Sequence, residues 1–264
     1  IPTLEELSKI EVGLQLQLLE FRHLENSAEE IQWLLDFEKY ATQASEFAKA
    51  RLQILQELAS QTFEFSNMEY DFLYDRSQRL LSIGYYVPEH HRDVSFYDLL
   101  ASEARLSSFV AIAQGKIPQD SWFALGRRLT SAGNTPVLLS WSGSMFEYLM
   151  PGLVMPTYEN TLLDEMCIGS VSKQIEYGEQ QGVPWGISES GFNAIDAHQN
   201  YQYRAFGVPG LGLMRGLAED LVIAPYATVM ALMVSPQPAC ENLQAMEKLG
   251  KQKEQDAIYR ETVA

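Results

Sequence analysis

Glu189 stands in the run GISES, with a glycine on either side, serines next to it and Trp185 four residues upstream. A second carboxylate, Glu103, lies in YDLLASEARL, where Leu99, Leu100, Leu106 and Phe109 surround it at helical spacing. An unpaired charge is costly to bury on such a face. Two acids facing each other across a cleft are the minimal machinery for breaking a glycosidic bond, one handling protons and the other attacking the sugar or activating water. Each acid also has a plainer reading. Glu189 could cap its own loop, although loops use Asp and Ser for that purpose more often than Glu. Glu103 could be held in a salt bridge to Arg105 or Arg204.

The aromatic supply suits a sugar, because pyranose C–H faces pack on rings while hydroxyls bond to the polar tips of Trp and Tyr. Trp141, Tyr148, Trp185, Tyr201 and Tyr203 are the candidate walls, with Arg204 beside them; for each ring, core packing is the competing role. Glu147, in SMFEYLMP, is a third acid, placed either to bind substrate or to pair with an arginine. His90, His91 and His198 form no ligand pattern, so no metal is expected. GVPGLG lacks the strand and lysine of a phosphate loop and reads as a tight turn. Ser188 and Ser190 sit in no nucleophile elbow.

These residues need a frame. Apolar residues recur at helical spacing over Thr3–Phe21 and Ala28–Ser60, predicting an antiparallel pair of amphipathic helices as an N-terminal segment, 1–60, ahead of a larger part, 61–264. Tyr70–Tyr86 reads as a hairpin around RSQR. Helices are expected over Tyr97–Ala113, Ser121–Leu129, Asn160–Gln181, Leu217–Met233 and Ser235–Leu249. PVLLSW is a buried extended segment leading into a helix that Pro151 ends. Val183–Gly212, which holds Glu189, fits no regular element and reads as a functional loop. Helix predominates, and long helices alternating with rich loops suggest a helical toroid.

With 264 residues, 46% of them hydrophobic, the chain can bury a real core. A formal charge of -16, from 35 acidic against 19 basic residues, argues against nucleic acid, which needs a basic face. Cys167 and Cys240 fit neither a disulfide framework nor a metal cluster, and a reducing compartment is the simpler reading. No apolar run approaches the length of a membrane span, so this segment is expected to be soluble. Opening at Ile1 rather than at a methionine, it reads as part of a longer protein.

The runs FLYDRSQRLLSIGY, YDLLASEARL, LLSWSGSMFEYLMPGLVMPTYENTLLD, IEYGEQQGVPWGISES and NYQYRAFGVPGLGLMRGLAEDLVIAPYAT together resemble the glucoamylase-like cyclisation domain of cyclic β-1,2-glucan synthases, over Asp71 to Met233. That resemblance implies an all-α (α/α)6 barrel, related to that of β-1,2-glucanases, acting on linear β-1,2-glucan by anomer-retaining transglycosylation without a cofactor. It places the two catalytic glutamates at Glu103 and Glu189, with Glu189 as nucleophile and Glu103 as acid/base. In the related inverting glucanases a substrate hydroxyl relays the proton, which would relax the position required of Glu103. The implied partners are the linear glucan and a glycosyltransferase module of the same polypeptide, at the cytoplasmic face of a bacterial inner membrane. After MEKLG the chain departs from the family, and about ten helices are countable where the barrel needs twelve. The competing readings are a β-1,2-glucan hydrolase of the same fold and a non-catalytic glucan-binding module.

Overall fold

The computed structural model describes residues 1–22, 27–132 and 135–261. They divide into two compact units, Ile1–Met68 and Glu69–Ala264.

The first unit is a pair of helices, α1 (Leu4–Arg22) and α2 (Ala28–Ser66). Ser27 caps α2 and Glu30 reaches back to it, satisfying two backbone donors that the first turn leaves free. The Ser45 hydroxyl donates to the Ser8 carbonyl (2.9 Å) and Lys49 meets Glu11 (3.4 Å), so α1 lies along the Ser45–Ala48 side of α2. Both Ser45 and Ala48 are fully buried. The expected division after residue 60 moves to 68, because α2 keeps its helical bonding through Ser66.

The second unit carries the remaining elements. Two small antiparallel pairs come first: β1 (Tyr74–Asp75) with β2 (Leu80–Leu81), the hairpin expected around RSQR, and β3 (Tyr85–Tyr86) with β4 (His91–Arg92). Then follow α3 (Arg105–Ala113), α4 (Asp120–Ala124), the hairpin β5 (Leu129–Ala132) and β6 (Thr135–Leu138), and α5 (Met145–Leu149), which runs into a 3-10 turn at Met150–Leu153. α6 (Leu162–Gln181) is capped by Thr161 and closed by Gly182 at φ 66°, close to its expected span. The hairpin β7 (Ser190–Ile195) and β8 (Tyr201–Arg204), α7 (Pro225–Ala231) and α8 (Pro236–Glu261) complete the unit. Its main core gathers α5, α6 and α7 around Tyr148, Met145, Met166, Val171, Phe206 and Leu211.

Three expectations change. The helix expected over Tyr97–Ala113 begins only at Arg105, because the backbone before it pairs elsewhere: Tyr97 N–H donates to Leu81 O (3.0 Å) and Leu100 N–H to Gly126 O (3.0 Å). The helix expected over Leu217–Met233 shrinks to Pro225–Ala231, with Ile223 spent in a bridge to Ile187. The segment 183–212, expected to be irregular, contains β7 and β8. Among the described residues, no helix is long and apolar enough to cross a membrane.

Candidate active site

Glu189 sits at the root of the β7–β8 hairpin, one residue before β7, at the end of a segment that four helices fix. From α8, Asn242 brackets Trp185, accepting from its N–H (3.1 Å) and donating to its carbonyl (2.7 Å); Thr228 of α7 donates to the same carbonyl (3.1 Å). From α6, the buried Gln174 accepts from Ile187 N–H (2.8 Å) and donates to Ile187 O (2.7 Å). From α5, Phe146 N–H donates to Ser188 Oγ (3.0 Å). Tyr226 of α7 then donates to the Glu189 carbonyl (2.7 Å), and the Tyr203 hydroxyl, across the hairpin, donates to Glu189 Oε2 (2.8 Å). Glu189 is half-buried, and its backbone is positioned by helices and its carboxylate by the facing strand rather than left on a loop tip.

Glu103 reaches the site from a turn, not from the helix expected for it. Ser102 Oγ accepts from Ala104 N–H (3.2 Å) and donates to Glu103 Oε2 (3.2 Å). Arg105, which is 3% exposed, anchors the turn by donating to Ser102 O (2.9 Å), Glu147 O (2.8 Å) and Tyr148 O (2.6 Å). All three acceptors are carbonyls, so Arg105 is a staple and not the ion-pair partner that the sequence allowed for Glu103. Arg204, the other allowed partner, pairs with Asp220 (2.8 Å) and lies over the Phe206 ring.

Burial is the main force pushing the Glu103 carboxyl above its ordinary value of 4.5, and the carboxylates of Glu147 and Glu189 add to it, while the Ser102 hydroxyl acts in the opposite direction. Glu103 and Glu189 are therefore within electrostatic reach of one another, one inclined to keep a proton and the other donated to by a phenol. A carboxyl whose folded pKa is raised costs stability as pH climbs from the unfolded value through the folded one; below the unfolded value both states are protonated and nothing is lost. Glu103→Gln is accordingly expected to raise Tm at pH 7 and leave it unchanged at pH 4, as read in paired thermal melts. An equal shift at both pH values would remove the ionisation cost assigned to Glu103.

Glu147 and Tyr148 belong to the frame. The Glu147 carboxylate, 6% exposed, accepts from the hydroxyls and N–H groups around it: Ser140 Oγ (2.8 Å), Trp141 N–H (3.1 Å), Ser142 N–H (3.0 Å) and Oγ (2.6 Å), and Ser144 N–H (3.0 Å) and Oγ (3.2 Å). This capping box at the start of α5 leaves the carboxylate neither an arginine nor an open side for substrate. The Tyr148 ring is fully buried and its hydroxyl donates to Leu138 O (2.8 Å) and Leu211 O (2.9 Å). Trp185, at 7% exposure, packs into the same core.

The 140–144 loop so formed is pressed against GVPGLG. A Cβ on Gly207 would sit 1.8 Å from Ser142 O, and one on Gly212 2.5 Å from the Ser142 carbonyl carbon, so only glycine allows the backbones to meet. That contact, rather than a phosphate, explains the glycine-rich run.

Of the other expected walls, Trp141 (61% exposed), Tyr201 (75%) and Tyr203 (67%) are open to solvent, and Arg204 is half-buried. Although its ring is exposed, Tyr203 has a desolvated hydroxyl that also faces the Glu189 carboxylate, and its pKa is pushed up to about 12. It therefore stays protonated and serves as the donor. Sequence reasoning did not single out Tyr226, and it offered Arg105 only as an ion-pair partner of Glu103, not as a staple of carbonyls. One tyrosine in APYAT and one arginine after a glutamate carry no spacing signal, because their partners are carbonyls distant in sequence.

The family model "Glycoamylase", described as "Putative glucoamylase", matches residues 95–262, a span that holds both Glu103 and Glu189. The chain belongs to that family. It is also similar, with 48% identity over 207 residues, to the "Cyclic beta-(1,2)-glucan synthase NdvB" of Rhizobium meliloti (strain 1021). The matched region covers 78% of this chain and 7% of that much longer protein.

Proposed function

We propose that this chain provides the centre that closes linear β-1,2-glucan into rings, by anomer-retaining transglycosylation, as a module of a longer synthase. The observation that carries the reading is the juxtaposition of a half-buried Glu103, on its turn beside Ser102, with a Glu189 that lies within its electrostatic reach and accepts from Tyr203, in a chain similar to part of a cyclic glucan synthase. The Glu189 carboxylate attacks the anomeric carbon; the bond from that carbon to the leaving oxygen breaks, and Glu103 gives its proton to that oxygen. A glycosyl ester on Glu189 results. Glu103, now ionised, takes the proton from the 2-hydroxyl at the far end of the same chain; that oxygen attacks the anomeric carbon and expels Glu189. Because the acceptor is tethered, its effective concentration lets it compete with water. Trp141, Tyr201 and Arg204 are the side chains offered for sugar contact.

Around this centre we place an (α/α)6 toroid, to which the helices of the second unit contribute, and other modules of the same polypeptide at the cytoplasmic face of the inner membrane supply the linear chain. Incubation with linear β-1,2-glucan followed by product analysis tests the reaction. Rings or redistributed chain lengths are expected; shorter reducing chains alone would assign a hydrolase, and unaltered glucan would leave a binding module.

Tyr203→Phe keeps the ring and removes the donor to Glu189. Losing a hydrogen bond to a charged group predicts turnover lowered about tenfold with KM nearly unchanged. A rise in KM at constant turnover would make Tyr203 a sugar wall instead, and steady-state kinetics separates the two.

A further inference from the structure

α2 carries a second apolar surface that the packing of the first unit does not use. Along its 39 residues, side chains at 33, 37, 40, 44, 47, 51, 54, 58, 61 and 65 follow alternating steps of four and three, the 3.5-residue period of a coiled-coil seam. Trp33 is 62% exposed, Tyr40 63%, Phe47 68%, Ile54 49% and Phe65 81%. α1 lies on the Ser45–Ala48 side, where Ser45 bonds to Ser8, and leaves this stripe open among the described residues. Isolated apolar side chains on a surface are ordinary, but a continuous stripe in strict register is not.

The stripe is complementary to itself. Set antiparallel about a two-fold axis at Lys49, so that residue numbers across the seam sum to 98, two copies place a against d at each level. Trp33 of one copy then faces Phe65 of the other, Tyr40 faces Leu58, and the small Ala44 faces the larger Ile54. Arg51, the cation within the seam, falls against the Phe47 ring, where a guanidinium gains from the aromatic face. Phe37 opposite Gln61 is the other mixed level. Counting Leu58 (52% exposed) and Phe37 (38%) as well, with large side chains of roughly 200 Å² each, one copy contributes on the order of 800 Å², the per-partner area of a standard stable interface.

We propose that α2 is a homodimerisation surface: a second copy of this chain covers the stripe, and the two helix pairs together form an antiparallel four-helix arrangement. The flanks define the salt response. Asp36 of one copy approaches Glu64 of the other, and neither flank offers lysine or arginine in return, so salt screens a repulsion and tightens the dimer. A basic-flanked helix from another protein would show the opposite dependence.

Sedimentation of the full 264-residue chain over a micromolar concentration series tests this. A monomer–dimer equilibrium is expected that tightens on raising NaCl. Phe47→Glu, within the stripe, is expected to weaken it about tenfold or more, whereas Phe63→Glu, equally exposed but off the seam, leaves it intact. With Cys167 and Cys240 changed to serine, Ala50→Cys lies near the two-fold axis and is expected to cross-link between copies through a short bifunctional thiol reagent, while Ala59→Cys, outside the seam, does not. A chain that stays monomeric, a dimer indifferent to Phe47→Glu, or one loosened by salt would overturn the proposal. Because the readout is mass and not activity, it stands or falls independently of the glycosyl-transfer reading.

Discussion

Glu103→Gln and Glu189→Gln are each expected to lower ring formation about a thousandfold or more, the scale on which a positioned acid/base or nucleophile contributes. The two losses should differ in kind. Glutamine at 189 cannot form the glycosyl ester, so no donor rescues it. Glutamine at 103 removes the proton supply to the leaving oxygen, and a β-glucosyl fluoride donor, whose fluoride leaves without being protonated, should restore the first step while acceptor activation stays slow. The assignment follows from the two environments: the pKa of the half-buried Glu103 is raised by desolvation and, beyond that, by neighbouring carboxylates, whereas Glu189 accepts from Tyr203. Rescue of Glu189→Gln by the fluoride, with none for Glu103→Gln, would exchange the roles, and unchanged ring formation in either variant would remove that residue from the mechanism.

Glu147→Gln is expected to cost about 3 kcal/mol or more of folding stability, nearly as much as Glu147→Ala. The carboxylate is acceptor-only and each neighbour directed at it is a donor, from the Ser140 hydroxyl to the Ser144 N–H. An amide must turn its own NH2 toward some of those donors, leaving buried N–H groups unpaired where the isosteric change would otherwise look harmless. The damage should spread to the mounts of both Glu103 and Glu189, since the Glu147 and Tyr148 carbonyls hold Arg105 and the preceding residue, Phe146, holds Ser188. Chemical denaturation of the three proteins measures the loss. A glutamine variant within about 1 kcal/mol of the parent would mean that the carboxylate's charge is dispensable in the frame.

Periodicity made the long helices legible: α6 was visible from its apolar spacing, and α1 and α2 from theirs. It misled where apolar residues face a core from an extended backbone. Leu99 and Leu100 have the look of a helical face, yet their segment bonds to Gly126 and places Glu103 on a turn. In YQYR the alternation that predicts a strand was present, but the aromatics drew the reading toward a loop. Residue type also gave no measure of burial. Trp141 and Trp185 were equivalent candidates, and only the packing of α8 and α7 on the Trp185 backbone separates a core ring from an exposed one. The SMFE capping box carried the role of Glu147 in plain view; its serine three residues upstream is the signal that a substrate-binding reading passes over.

The hairpin that carries Tyr203 is tethered differently from the residue it serves. Glu189 is held through its main chain, by Tyr226 and by the bonds on Ser188 and Ile187, none of which involves β8. Tyr203 approaches from β8 and its hydroxyl donates to the carboxylate. The donor to the carboxylate and the anchors of the main chain are therefore separable: Tyr203→Phe removes the first and leaves every one of the second in place. Charge and position are thus set by different elements: the strand that tunes the carboxylate is not among the helices that hold its backbone.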